Sequence, residues 1–269
     1  MQEQLFCASQ NTSSDDLTFH PNASQLDTVL SSYPPDTFSA IGSAPYVEAD
    51  TIRAHANIAH IFDLANKHGL HVDFHLDYDL GEDEGLDDEE LGIGKGAMIW
   101  EVLECVKNGA MGKVSVYSPD EPRTVTIGHA TRLTRFSQTA LKRLRSLVAS
   151  VPEPVRVYFV ALPQSDVYMM GRLKDDAEYP MDKKRGTLDV VKLVRAYGTR
   201  TGTVVEHESC ERSLNVAMSI NNVQNAFTPQ GSVDPLMLCP LGMMLYQAGS
   251  ESDAKILLAR FLFYFIFLS

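Results

Sequence analysis

Three apolar runs, rich in β-branched residues, each end at a polar side chain, and this pattern constrains the fold more than any other feature. The polar residues at the ends of these runs are, in chain order, His75, His129 and Asn221. In a barrel of alternating strands and helices, the active site is built from polar groups at the carboxyl ends of successive parallel strands. The pattern therefore predicts an α/β fold of the TIM type with a site at one edge of its sheet.

Hydrophobic periodicity predicts five strand–helix units along the chain. Residues 50–67 carry apolar side chains at helical spacing and end at Gly69, whereas residues 155–162 resemble a strand that is buried on both faces. This alternation predicts a parallel sheet with right-handed crossovers. The predicted strands are 39–47, 70–75, 125–128, 155–162 and 214–220, and the predicted helices are 50–67, 97–106, 138–148, 188–197 and 236–248.

The two ends of the chain differ from this central region in composition. Residues 1–37 are rich in Ser, Asp, Thr and Pro and are expected to form an irregular lead-in. Residues 38–249 form the predicted barrel-like region. Residues 250–269 form an apolar C-terminal tail, and Arg260 interrupts its hydrophobic run. The run is too short to cross a membrane easily, so a buried helix or a truncated end is favoured over a membrane partner.

Charge and cysteine usage exclude several classes of protein. The 269 residues carry a formal net charge of -12, which argues against a general nucleic-acid binder. The four cysteines form no CxxC pair, as expected for free thiols in a reducing compartment. The first residues are polar and do not resemble a signal peptide. These features predict a cytoplasmic protein.

The polar residues at the strand ends suit metal-assisted hydrolysis. A neutral imidazole such as His75 is a good ligand for Zn or Fe, although a structural histidine bonded to the acidic loop after it would show the same pattern. His129 follows a glycine, and it could orient or deprotonate a metal-bound water. Asn221 could lend its carbonyl oxygen to a metal but cannot take a proton, and an Asx-turn is the alternative interpretation.

The glycine-rich segment 92–96 offers a different hypothesis. It resembles a phosphate-binding loop, but it lacks both the GK[ST] and the GxGxxG order. A loop hinge is the favoured interpretation. An unrelated α/β nucleotide-binding module is the alternative that this segment leaves open.

Five segments, taken together and in order, resemble the cytosine-deaminase-like branch of the amidohydrolase superfamily, over about residues 38–249. The segments are 74–79, 128–130, 162–172, 184–186 and 219–231. The resemblance implies a (β/α)8 barrel that holds one divalent metal, Zn or Fe. The five predicted strands would then be strands four to eight of that barrel, so the chain would form a partial (β/α)8 barrel.

The resemblance also implies a role for particular residues. His75 corresponds to the metal ligand after the fifth strand, and His129 to the histidine that contacts the activated water. Asn221 takes the eighth-strand position, which serves the metal and the catalytic step, while Tyr78 and Asn222 correspond to substrate contacts. The implied reaction is hydrolysis of a C–N bond other than a peptide bond, in a cyclic amidine or amide.

Three departures from the family pattern predict impaired activity in a truncated chain. No HxH pair precedes His75, Tyr78 replaces the family glutamate, and Asn221 replaces the family aspartate. A non-catalytic relative that binds a small ligand or a partner is therefore the main alternative. The partial sheet would have open edges, which predicts self-association through them.

Overall fold

A computed structural model of the chain describes residues 3–7, 21–35, 37–80, 91–112, 122–171, 184–197, 214–226 and 228–267. The chain divides into two compact units. Unit 1 comprises residues 1–76, 98–128 and 146–158, and unit 2 comprises residues 77–97, 129–145 and 159–269.

The described strands are hydrogen-bonded to one another in the order in which they follow along the chain. They are β1 (Glu3–Cys7), β2 (Phe38–Ser43), β3 (His71–Leu76), β4 (Thr124–His129), β5 (Arg156–Ala161) and β6 (Asn215–Met218). Strands β1, β2 and β3 are parallel, with Leu5 opposite Ile41 and Ile41 opposite Val72. The open parallel sheet confirms the predicted α/β class and the partial TIM-type architecture.

Helices connect these strands, as the alternation in the sequence predicts. They are α1 (Pro21–Ser32), α2 (Thr51–His68), α3 (Ile99–Lys107), α4 (Gln138–Ala149), α5 (Pro163–Met169), α6 (Val190–Tyr197), α7 (Leu238–Leu245) and α8 (Glu251–Phe267). None of the helices in the described part of the chain combines the length and the hydropathy that crossing a lipid bilayer requires.

Helix α2 in unit 1 shows how local sequence signals set the ends of an element. The Asp50 carboxylate accepts a hydrogen bond from the backbone N–H of Arg53 at 2.8 Å, which caps the helix at its N-terminus. At the other end Gly69 adopts a left-handed backbone with φ of 69°, and its N–H donates to the carbonyl of Ala65. The predicted boundaries of this helix are therefore confirmed to within one residue.

Arg123 is a buried cation at the start of β4 in unit 1, and it is 1% exposed. Its guanidinium donates to the carbonyls of Ala65 and Leu70, at 2.8 and 2.5 Å, and to Oδ1 of Asn66 at 3.1 Å. Burial lowers the pKa of Arg123 to about 10, which leaves it protonated at neutral pH. The side chain thus links the C-terminal end of α2 to Leu70 and gives the buried Leu70 carbonyl a donor.

In unit 2, β6 is the end strand of the described sheet. Its backbone continues into Ser219, whose N–H donates to the carbonyl of Ala161 in β5 at 2.9 Å. Val160, Leu162 and Ala217 form a buried apolar cluster. Helices α6 and α8 pack on β6, so the strand is covered by apolar side chains as well as paired with β5.

The structure corrects one expectation from the sequence and extends another. Residues 1–37 are not irregular throughout, because β1 and α1 lie within them and β1 adds a sixth strand beside β2. The apolar tail forms most of α8, which begins with Ser250 and Asp253 capping each other. The sequence did not predict β1, because the lead-in is polar and a single edge strand of five residues gives only a weak alternation of polar and apolar side chains.

Candidate functional site

His129 lies at the carboxyl end of β4 and has an unusual backbone conformation. Its φ is 66° and that of Ala130 is 48°, both in the left-handed region that non-glycine residues rarely adopt. The His129 side chain is almost fully buried, at 2% exposed. Such backbone strain persists only where the surrounding structure enforces it, and it turns the chain sharply just at the residue predicted to act on water.

Asp166 in α5 binds the imidazole of His129. Nδ1 of His129 lies 2.5 Å from Oδ1 of Asp166, and Asp166 has no exposed surface. The other carboxylate oxygen, Oδ2, accepts a hydrogen bond of 2.6 Å from the hydroxyl of Thr187. Because the carboxylate acts as the acceptor, Nδ1 of His129 is assigned as the donor in this bond.

Tyr78 also packs against the imidazole of His129. Its ring meets the imidazole of His129 edge to face, with centroids 5.1 Å apart and planes at 82°. Two arginines of the turn after β4 hold the segment that carries Tyr78. Arg132 binds the Asp79 carboxylate at 2.5 Å, and Arg135 donates to the carbonyl of Leu80 at 3.1 Å.

The amide of Asn221, just after β6, binds a residue adjacent to Asp166. Its Nδ2 donates to the hydroxyl of Ser165 at 3.2 Å. Asn222 accepts a hydrogen bond of 3.0 Å from Nδ2 of Asn225 and so belongs to a turn that closes on Thr228. The Asx-turn interpretation thus applies to Asn225, whose side chain accepts from the backbone of Thr228, whereas Asn221 faces α5.

Four of the five predicted site residues lie in unit 2, and contacts link three of them to the His129–Asp166 pair. His129 and Tyr78 are in contact, while Asn221 and Asn222 lie at the end of β6, where Asn221 binds the neighbour of Asp166. The fifth residue, His75, lies in β3 of unit 1, where its Nε2 is 4.0 Å from Oδ1 of Asp73. His71, in the same strand, accepts a hydrogen bond from the backbone N–H of Thr124 at 3.0 Å.

The predicted metal finds no matching donor set in the described part of the chain. No group of three or more His, Cys, Asp or Glu side chains among the described residues could hold a metal ion. The Asn221 Nδ2 donates to Ser165, which leaves the amide oxygen as the atom that could bind a metal, and amide oxygens are weaker ligands for Zn or Fe than histidine or carboxylate. The described residues therefore do not fit the metal that the resemblance implies.

Sequence reasoning missed Asp166 and Thr187, the two residues that hold His129. Asp166 lies within the 162–172 segment, and Thr187 directly follows the 184–186 segment. Both segments were singled out for their resemblance to a family, but neither was connected to His129. The sequence signal that could have identified Asp166 was its position. It comes five residues after the last residue of β5, at the same edge of the sheet as His129.

Comparisons with known proteins support the fold. Two crystal structures of 5-methylcytosine deaminase from Klebsiella pneumoniae are similar to this chain. The structure liganded with 5-fluorocytosine aligns at a TM-score of 0.59 and 18% identity, over 86% of this chain. The structure liganded with phosphonocytosine aligns at 0.62 and 17% identity, over 93% of this chain. A scan against models of protein families and a search of curated proteins both give no match.

The chain spans less than half the length of these neighbours, 44% and 48% respectively. At such low identity the likeness shows the fold. It supports the partial TIM-type architecture of the described strands and helices, and it leaves the activity to be argued from the residues.

Proposed function

We propose that this chain is a deaminase-like amidohydrolase that acts on the C–N bond of a small cyclic amidine or amide, such as a pyrimidine. The observation that carries the proposal is the buried hydrogen bond of 2.5 Å between His129 and Asp166, at the carboxyl end of the sheet. The fold and the order of the sequence motifs support the same reaction class. The Asn221 replacement and the partial barrel predict low activity.

In this proposal, His129 is the proton acceptor. Asp166 accepts from Nδ1, so Nε2 is the nitrogen that takes a proton from the attacking water. The negative charge of Asp166 stabilises the imidazolium that forms, as buried carboxylates do beside catalytic histidines. The proton on Nε2 can then pass to the departing amine, which releases ammonia.

Tyr78 and Asn222 are the proposed substrate contacts. The Tyr78 ring borders the His129 imidazole, so a planar heterocycle placed beside His129 could pack on the tyrosine as well. The amide of Asn222 offers both a donor and an acceptor, as a pyrimidine edge requires. Asn221 remains a proposed catalytic residue. Its amide donates to the hydroxyl of Ser165, the residue before Asp166.

Metal binding stays an expectation from the sequence that the described residues do not fit, and no step above depends on it. His75 and Asn221 are the ligands that the sequence predicts. Elemental analysis of the purified chain, alone and after dialysis against Zn or Fe(II), tests them, with a His75→Ala variant for comparison. About one metal per chain that is lost in H75A would support a metal site. No metal in either protein would contradict it.

The activity test is ammonia release from cytosine and 5-methylcytosine by the purified chain, with and without added Zn or Fe(II). We expect slow release that H129Q abolishes and that T139V leaves unchanged, since Thr139 is exposed on α4. Release that persists in H129Q would contradict the role of His129. No release under any condition would contradict turnover by this chain.

Binding without turnover is the second candidate, and Asn221 favours it. An amide cannot shuttle a proton, and here its N–H groups bind Ser165 instead. This candidate predicts that cytosine raises the melting temperature of the chain without any ammonia release. The shift would be lost in Y78A.

Self-association and a cytoplasmic location are further proposals. Val233 and Met244 of unit 2 are 77% and 67% exposed, and apolar surface of this kind favours contact with a second copy. Sedimentation velocity at increasing concentration tests this proposal, and a monomer at all concentrations would contradict it.

Cys105 and Cys239 are unpaired thiols, as expected in a reducing compartment.

A further inference from the structure

We infer that Thr187 is a positioning residue that keeps the Asp166 carboxylate aligned with His129, and that residues 184–189 therefore set the geometry of the proposed base. This inference rests on the role proposed for His129. Thr187 itself touches neither the imidazole nor any reacting group. It acts through Asp166.

The hydrogen bonds of Asp166 are divided between its two oxygens. Oδ1 bonds Nδ1 of His129 at 2.5 Å, and Oδ2 accepts from the Thr187 hydroxyl at 2.6 Å. Rotation about the last bond of an aspartate is soft, so one bond alone would leave the carboxylate plane poorly defined. A second donor on the opposite oxygen fixes that plane. Thr187 is only 5% exposed, so water does not readily replace its hydroxyl.

Thr187 is held in turn by the structure that follows His129. Thr134 lies in the short 3-10 turn after β4, and its hydroxyl donates to the carbonyl of Thr187 at 3.0 Å. The same hydroxyl accepts from the backbone N–H of Asp189 at 3.2 Å. Asp189 caps α6 by accepting from the N–H of Lys192. The Thr134 hydroxyl thus bonds the backbone at both Thr187 and Asp189, so the turn after His129 holds the segment that leads into α6.

The same segment also contacts the residues that carry Tyr78. A methyl group placed on Gly186 would lie 3.3 Å from Cδ2 of Leu80, so glycine allows a close approach here. Arg135 binds the carbonyl of Leu80. Residues 184–189 therefore contact both neighbours of His129. Thr187 binds Asp166, and Gly186 lies against Leu80, in the segment that carries Tyr78.

Tyr246 lies near this arrangement and stays neutral. Burial, and then the charges of Asp166 and Asp189, raise the pKa of its phenol, while hydrogen bonds with Thr187 and Val190 oppose that increase. A phenol that remains protonated adds no negative charge beside Asp166.

The experiment compares T187V, which removes the hydroxyl but keeps the volume, with T187S, which keeps the hydroxyl. T139V, on the exposed face of α4, is the matched control. The readout is the Nδ1–H proton of His129, assigned by selective ¹⁵N-histidine labelling and an H129Q variant. A short, charge-assisted hydrogen bond places this proton far downfield. We expect the resonance in wild type, T187S and T139V, and a clear upfield shift or loss by exchange in T187V.

An unchanged resonance in folded T187V would overturn the inference, whether or not the chain turns over a substrate. Circular dichroism checks that T187V is folded. Should it be unfolded, T134V decides the matter, since it removes the donor to the Thr187 carbonyl: an unchanged resonance there counts against the inference, and a shift supports it.

Kinetics separate positioning from a purely structural role. In a chain with measurable turnover, T187V should lower kcat about tenfold with KM unchanged, a part of the roughly 10²–10⁴-fold that a positioned base contributes. T187S should restore kcat. A rise in KM alone would contradict positioning. A resonance change without turnover in wild type would leave the inference standing and count against the proposed function.

Discussion

Nδ1 of His129 and Oδ1 of Asp166 lie 2.5 Å apart, and both residues are buried. The pair joins the end of β4 to the first turn of α5, so a side-chain hydrogen bond links two consecutive strand–helix units. Burial strengthens such a bond, and it also makes the loss of either partner costly.

Replacing Asp166 should affect both stability and the proposed reaction. D166A leaves the buried N–H of His129 and the hydroxyl of Thr187 without their acceptor, at about 1–3 kcal/mol for each group. D166N keeps the volume but removes the charge that stabilises an imidazolium. We expect urea unfolding to show the larger loss for D166A, and ammonia release to be absent from both. Equal stability of D166A and wild type would contradict the assigned hydrogen bonds.

Tyr78 should contribute through its ring more than through its hydroxyl. The edge-to-face contact with His129 predicts that Y78L loses about 0.5–1.5 kcal/mol beyond the change in buried area. Y78F keeps the ring and should unfold within about 0.5 kcal/mol of wild type. The measurement is the urea midpoint of each variant. A Y78F loss as large as that of Y78L would assign the stabilisation to the hydroxyl instead.

Arg123 should be required for the stability of unit 1. R123M removes the donors to the Leu70 carbonyl and to Oδ1 of Asn66, and each buried carbonyl left without a partner costs about 1–3 kcal/mol. R143M, at an exposed position of α4, is the control. Thermal unfolding should show a clearly lower midpoint for R123M and little change for R143M. Equal midpoints for both variants would mean that water satisfies these carbonyls.

Asp27 should make a small contribution to stability that disappears in acid. Hydrogen bonds from Lys67 and then His68 hold the pKa of its carboxyl below the usual 3.8. A lowered folded pKa stabilises the protein above pH 3.8, and the effect is lost as pH falls through the folded value. The pair is partly exposed, so D27N should cost less than about 1 kcal/mol at pH 7.

The test of Asp27 is the free energy of unfolding of D27N and wild type between pH 7 and pH 2. The difference should shrink to zero at the acidic end. D63N, which changes an exposed carboxylate on α2, is the control. A difference between D27N and wild type that persists at pH 2 would contradict the assigned ion pair.

The fold could be predicted from the sequence where local signals agree. Helix α2 has a capping aspartate, an apolar face and a terminal glycine, and the alternation of five strands with helices was confirmed. Strand β1 was missed because pairing with β2, which the local sequence does not encode, makes it a strand. Whether residues 38–249 form one domain stays a prediction.

The sequence by itself determined the class of fold and placed His75, His129 and Asn221 at strand ends, because periodicity and residue type are local properties. Only the tertiary structure decided what binds His129. Asp166 is 37 residues away and Thr187 a further 21, and a hydrogen bond over such separations depends on the folded path of the chain. The partner of a buried polar group is set by packing, which no local pattern records.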